Sequence, residues 1–484
     1  MENTLSHILP QALWHYFGEI CMIPRPSKKE EKIRQYLVDF AKKQGLACDV
    51  DEIGNVLIRK PGSPGRENDR ITVLQSHMDM VCEKNQDTVH DFDIDPIRPR
   101  IDGDWVKATN TTLGADNGIG VAASLAILED KTAAHGPLEI LITVDEETGL
   151  SGAFALQPDY IKGRILLNLD SEDEGEIFIG CAGGTDTAIT LPVSWEAIPA
   201  GYSAYSIEIS GLKGGHSGDE IHKRLGNSNK ILNRILWSLS QQIDLRIATF
   251  SGGNLRNAIP REASGTFVIP IADLEICNTI TQRTSIAIWQ ELQHTDPDLS
   301  IKITPAPMPA QVLTKESGDR LMQSLYACPH GVIAMSPVIP GLVETSTNLA
   351  AVRTEKDHIY ITTSQRSSTE SAKQDIANMV SSTFKLAGAI TEQGDGYPGW
   401  APNPNSEILE ITKQAHIKVL GYEPAVRAIH AGLECGVIGE KYPGIDMISF
   451  GPTIRGPHSP DERLEIATVG RFWDLLLQVL LNIR

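Results

Sequence analysis

A chain of 484 residues exceeds one ordinary core, so two or three domains are expected, and its 41% hydrophobic and 22% charged residues are those of a soluble globular protein with no apolar run long enough to span a bilayer. The formal charge of −19 disfavours nucleic acid or an anionic membrane as a partner. Seven scattered cysteines without a C-x-x-C argue against a disulfide framework or a cysteine zinc site, and with no secretory pattern at Met1-Glu-Asn-Thr-Leu-Ser-His7 a cytoplasmic protein is expected.

In chain order, residues 10–20 read as a helix. Ser27-Lys-Lys-Glu30 has capping-box spacing and opens a second helix to about Gln44. Residues 51–60 alternate into a strand, which Pro61-Gly-Ser-Pro-Gly65 breaks. From residue 71 to about 180, short β-branched runs alternate with helical stretches, and each run ends in polar residues. His77 and Asp79 follow Ile71-Thr-Val-Leu74. Asp116 sits in Gly114-Ala-Asp-Asn-Gly118, ahead of an apolar helix. Glu146 and Glu147 follow the run ending at Val144, and Asp170 closes Ile165-Leu-Leu-Asn-Leu169. Such runs read as buried parallel strands, and ligands bind at the carboxyl ends of strands in an open α/β sheet.

After Cys181-Ala-Gly-Gly184 the texture changes. Residues 187–389 mix alternating strands with amphipathic helices, the pattern of helices layered on one face of a mostly antiparallel sheet. A proline-rich return at 396–405, a helix over 406–420 and a strand over 447–451 then lead back to the first domain and to His458. The expected architecture is an α/β catalytic domain with a mostly parallel sheet, residues 1–186 plus 397–484, and an inserted α+β lid domain, residues 187–396.

A single acidic residue at a strand end is more often a helix cap or a solvated turn than a ligand. Here two histidines and several carboxylates gather at successive strand ends. That set fits two divalent metals, with the remaining acids free for proton transfer.

His77-Met-Asp79, Gly114-Ala-Asp116-Asn-Gly118, Glu146-Glu147, Asp170 and Gly456-Pro-His458-Ser-Pro-Asp461 together resemble the M20 family of di-zinc peptidases. Within it, Asn257-Ala-Ile-Pro-Arg-Glu262, Val343-Glu-Thr-Ser346 and His430-Ala-Gly-Leu-Glu-Cys-Gly436 are similar to the branch that cleaves Xaa-His dipeptides. The resemblance implies two Zn²⁺ per chain, with Mn²⁺ or Co²⁺ able to substitute. It places His77 and Asp170 on one ion, Glu147 and His458 on the other, and Asp116 between them, with a cis peptide before Asn117. It makes Glu146 the general base and gives Asp79 the task of orienting His77. His216 becomes the oxyanion donor and Arg366 the partner of the substrate carboxylate with Asn257 beside it, while His430, in a glycine-rich segment within reach of substrate, is a candidate substrate-binding residue whose role stays open. A homodimer is expected, as is a lid that closes over a dipeptide.

The chemistry is consistent with that resemblance, because peptide hydrolysis needs a nucleophilic hydroxide at neutral pH and a base beside it. Asp173, in the acidic run after Asp170, is a candidate for a substrate ammonium group. Neither Gly-x-Ser-x-Gly nor His-Glu-x-x-His occurs, which argues against a serine hydrolase or a zincin. The remaining alternatives are an N-acyl amino acid deacylase or carboxypeptidase of the same family, a dinuclear phosphoesterase, and a metal or peptide binding protein without turnover. In the family, Asp at position 170 goes with aminopeptidases and dipeptidases, and Glu there with carboxypeptidase-like members.

Overall fold

A computed structural model describes residue 5 and residues 7–484. The chain divides into two compact units, residues 1–181, 400–428 and 433–484, and residues 182–399 with 429–432. Residues 182–186, 397–399 and 429–432, expected with the catalytic domain, group with the second unit. The reason is local pairing. Gly183–Pro192 is already laid antiparallel on His358–Ser367 from its first residue, and Gly184 also bridges to Tyr397.

The first unit is built on an eight-stranded sheet in the order Ala47–Val50, Val56–Lys60, Leu138–Thr143, Thr72–His77, Ile165–Asn168, Asp446–Ser449, Glu176–Cys181, Ala425–Ile429. Its centre is parallel, with Thr72 in register with both Leu138 and Ile165, and Asp446 with Ile165. Antiparallel pairs flank that centre. The central strands are buried along their length, as expected of strands covered on both faces. Helix Ala115–Glu129 is buried on nearly all sides, so its sequence is apolar all round rather than striped.

Two sequence expectations change here. The second helix spans Glu31–Gln44, because Ser27 does not cap it: its hydroxyl donates to Asp79 Oδ2 at 2.8 Å instead. The strand expected over 51–60 is a hairpin, Ala47–Val50 paired with Val56–Lys60. Asp51 turns the chain by accepting the N–H groups of Gly54 and Asn55 at 2.9 and 2.8 Å.

The second unit is a nine-stranded sheet running Ser300–Pro305, Tyr202–Ser210, Ala263–Pro270, Arg246–Gly252, Val343–Thr354, His358–Ser367, Gly183–Pro192, Ile390–Gln393, with Gly331–Met335 also on Val343–Thr354. Its strand pairs are antiparallel. Alternate side chains such as Tyr205, Ile207 and Ile209 point into one core, where helices Ser228–Ser240, Lys315–Ala327 and Glu370–Leu386 supply Leu232, Leu236, Leu321 and Phe384. Among the described residues, no helix is long and apolar enough to cross a membrane.

Candidate active site

In the first unit, the parallel strands deliver their polar residues to one end of the sheet. His77 ends its strand, 1% exposed. Its Nε2 lies 3.1 Å from Asp116 Oδ1 and 3.3 Å from Asp170 Oδ1, and its Nδ1 lies 3.3 Å from Asp79 Oδ1. His458 Nε2 lies 3.1 Å from Asp116 Oδ2 and 3.1 Å from Glu147 Oε2. Asp116 therefore turns one oxygen to each histidine. One ring nitrogen cannot donate a single proton well to two carboxylates, so each histidine stands where three ligand atoms converge.

The donor atoms of His77, Asp116 and Asp170 lie within 4.8 Å of one another, and so do those of Asp116, Glu147 and His458. These are nitrogen and oxygen donors of the kind a divalent transition metal takes, in two groups that share one carboxylate. Glu147 Oε1 is buried without a hydrogen-bond partner. A buried, unpartnered carboxylate oxygen is costly unless a cation answers it, so the residues fit a metal pair.

The electrostatics say the same. Burial disfavours charge on the His77 ring, yet Asp170, Asp116 and Asp79 outweigh it and hold its pKa well above the usual histidine value. The Asp116 and Glu147 carboxylates, as hydrogen-bond acceptors beside His458 Nε2, push its pKa up to about 11. Burial carries Asp170 to about 7, with the nearby Asp116 and Glu147 charges adding to it. Burial also pushes Glu146 well above the usual carboxylate range, with Asp170 adding to that effect. This much buried negative charge calls for positive charge among it, and divalent cations supply that more compactly than protons.

The local backbone explains how neighbouring side chains take different directions. Asp145 and Leu150 are left-handed, at φ 48° and 54°, so the chain leaves its strand in a tight irregular turn. Asp79 holds that turn by accepting the N–H of Glu146 at 3.1 Å and of Glu147 at 3.3 Å. At Asp116 the peptide to Asn117 is cis, as the resemblance implied. Gly114, at φ 70°, and Gly118 both pack so closely on the Arg25 guanidinium that an added Cβ would stand 2.5 and 2.7 Å from Nη2. The glycines flanking Asp116 are thus set by that contact.

In the second unit the remaining expected residues also cluster. His216 Nδ1 accepts the Asp219 N–H at 3.1 Å, and His430 Nε2 meets Ser346 Oγ at 2.7 Å. Gly218 packs between them, leaving no room for a Cβ between the His430 carbonyl and the His216 ring. Burial, with Arg366 nearby, holds His430 down to about 4, so its ring is neutral. Arg366 is 8% exposed, donates from Nη1 to Tyr397 Oη at 2.9 Å, and keeps a buried Nε without a partner. Asn257 accepts the Ser217 N–H through its carbonyl and lines, with His216, a cavity of about 860 Å³.

Two corrections follow. Asp173 is not free for an ammonium group, because its Oδ1 pairs with Arg455 Nη1 at 2.7 Å. Glu434 was passed over, although the segment containing it was singled out for His430. It is fully buried, accepts Gln75 Nε2–H and Thr143 Oγ–H on one oxygen, and burial lifts it to about 8. A glutamate inside a glycine-rich, otherwise apolar stretch was the available signal.

Residues 73–482 match the sequence profile described as peptidase family M20/M25/M40. The cytosol non-specific dipeptidase of Escherichia coli (strain K12) is 46% identical over 481 residues, 99% of each chain. The crystal structure of aminoacylhistidine dipeptidase from Vibrio alginolyticus superposes with a TM-score of 0.94 at 46% identity, covering 99% of this chain and 98% of that one. Aminopeptidase PepT from Bacillus cereus shares the fold, at 17% identity and a TM-score of 0.58 over 98% and 99% of the two chains. Matched along its length by the profile and by these relatives, the chain belongs to peptidase family M20/M25/M40.

Proposed function

We propose that this protein is a cytoplasmic metallo-dipeptidase that hydrolyses unblocked dipeptides, Xaa-His substrates such as β-alanyl-histidine among them. The observation that carries the reading is the pair of donor groups sharing Asp116, with the buried Glu146 carboxyl within the same constellation. The whole-length likeness to a non-specific dipeptidase and to an aminoacylhistidine dipeptidase supports the substrate class. The name of the first relative, together with seven cysteines that form no disulfide, supports the location.

In this reading His77, Asp170 and Asp116 hold one Zn²⁺, and Asp116, Glu147 and His458 hold the other. When bound, the two ions supply Lewis acidity that brings the pKa of water down to about 7. Glu146 takes the proton of the attacking water and returns it to the departing amine nitrogen, a task suited to a carboxyl whose pKa burial has raised. Asp79 Oδ1, 3.3 Å from His77 Nδ1, favours the tautomer with its proton on Nδ1, which leaves Nε2 free as a donor atom. In the second unit, Arg366 is assigned the substrate carboxylate, since its unpartnered Nε–H leaves capacity for an anion. His216 is assigned the oxyanion, and Asn257 and His430 further contacts with the substrate.

The test is hydrolysis of a panel of free and N-acetylated dipeptides, β-alanyl-histidine included, with zinc, manganese or cobalt. Turnover of the free dipeptides alone is expected. Preferential cleavage of the acetylated set would establish a deacylase or carboxypeptidase instead, and tight binding without turnover a binding protein.

A further inference from the structure

The loops that carry Asp116 and His458 are joined by one side chain acting on backbone. Glu462, four residues beyond His458, is 2% exposed. Its Oε2 accepts the N–H groups of Leu113 at 2.7 Å and Gly114 at 2.9 Å, and its Oε1 those of Ala115 at 2.7 Å and Asp116 at 3.3 Å. Four consecutive amides thus converge on one carboxylate. Arg25, 1% exposed, grips the same loop from its carbonyl side, with Nη2 donating to Gly114 O at 2.5 Å. Its Nη1 donates to Met78 O at 3.1 Å and Asp79 O at 2.7 Å, in the segment just after His77.

We propose that Glu462, opposed by Arg25, is a positioning residue: it fixes the Asp116 carboxylate between His77 and His458 and so sets how tightly the cations are held. The inference rests on the two-cation reading above. The three segments concerned are otherwise distant in sequence, and each contributes one of the groups that meet at Asp116. Hydrogen bonds to backbone locate a loop whatever its side chains, and a buried carboxylate with both oxygens doubly engaged has little freedom left. A Gln at position 462 would keep the size but turn an NH₂ toward two N–H donors, so the loop must shift.

A purely structural carboxylate of similar build provides the control. Glu139 is 3% exposed and accepts the N–H groups of Lys162 and Gly163 at 2.8 and 2.9 Å, near the amino end of its strand and away from the donor cluster. Zinc affinity would be measured by competition with a chromophoric chelator, and ligand geometry from the visible spectrum of the cobalt(II) form. For E462Q the expected result is zinc affinity ~10–100-fold weaker, an altered cobalt spectrum, and a lowered kcat with KM within about twofold of wild type. E139Q should melt earlier yet bind zinc as the wild type does. Should E462Q not fold, E462D, which keeps the charge one methylene short, is taken through the same measurements and should also bind zinc more weakly. Wild-type affinity and spectrum in the folded Glu462 variant overturn the proposal, and so does an equal loss of affinity in E139Q. If the wild-type chain itself binds neither zinc nor cobalt, the two-cation reading falls first, and this inference falls with it.

Discussion

The two units hold their polar clusters by different means. In the first, the segments that bear the donors are pinned by side-chain contacts to backbone, although His458 is itself 54% exposed: Asp79 takes the N–H groups of Glu146 and Glu147, and Asn117 Nδ2 donates to Leu169 O. In the second, His216 is 33% exposed and steadied mainly by its near neighbour Asp219, and Arg366 keeps an unpartnered Nε. The difference is one of preorganisation. The first cluster is a finished donor set whose geometry does not depend on substrate, whereas the second holds groups whose hydrogen-bonding capacity is still to be used.

Substitutions can break that comparison, and the largest effect should lie in the first unit. Glu146→Gln should keep both metals and lose ~10²–10⁴-fold in kcat, since it removes a base and leaves the ligands. Metal content and single-turnover rates check this, and loss of metal together with activity would show that Glu146 and Glu147 have been given each other's roles. Next comes His216→Ala, expected to lower kcat by ~10²–10³-fold at unchanged metal content, because an oxyanion donor acts in the transition state. An effect confined to KM would remove His216 from that role.

Arg366→Ala should be milder and of another kind. Losing a charged hydrogen-bond partner in the ground state should raise KM for free dipeptides ~10–100-fold and matter little for their amides. The ratio of the two substrates is the decisive quantity, and an unchanged ratio would rule out the carboxylate contact.

The smallest effect concerns stability. His330 Nδ1 lies 3.4 Å from both Asn227 Nδ2 and the Leu349 N–H, and burial, helped by Lys230, lowers its pKa from 6.5 to about 4. The folded ring stays neutral where the unfolded one would charge. Stability is therefore complete above about pH 6.5 and is lost as pH falls toward about 4, by at most ~3 kcal/mol. Melting curves of the wild type and His330→Gln across that window should converge at the acid end, and parallel curves would show that His330 is not the group responsible.

Most of the metal-type donors were legible because they end or follow a hydrophobic strand and so stand out against their surroundings: His77 ends Thr72–His77, Asp170 comes just after Ile165–Asn168, and Glu147 just after Leu138–Thr143. Arg25 and Glu462 were not legible. Their partners are backbone amides and carbonyls, which every sequence has, so no motif marks the contact. An acidic residue in the turn that follows His458 was the only hint. Ser27 misled for a related reason, since the same hydroxyl that suits a helix cap also suits a carboxylate brought close by the fold. Asp51 was readable in principle, because Asp51-Glu-Ile-Gly-Asn55 is turn chemistry, but the alternation around it favoured a continuous strand.

The amides gathered by Glu462 have a bearing on which anions this protein can accommodate. Leu113, Gly114, Ala115 and Asp116 present four consecutive amide N–H groups in the kinked segment that leads into the helix ending at Glu129, and such a group of converging amides is a ready cradle for an anion. Here the protein's own carboxylate fills that cradle from within. A phosphate ester arriving at the donor cluster would find those amides taken and carboxylates around it, whereas an uncharged amide meets neither obstacle. Filled from within by Glu462, that cradle is closed to anions from outside.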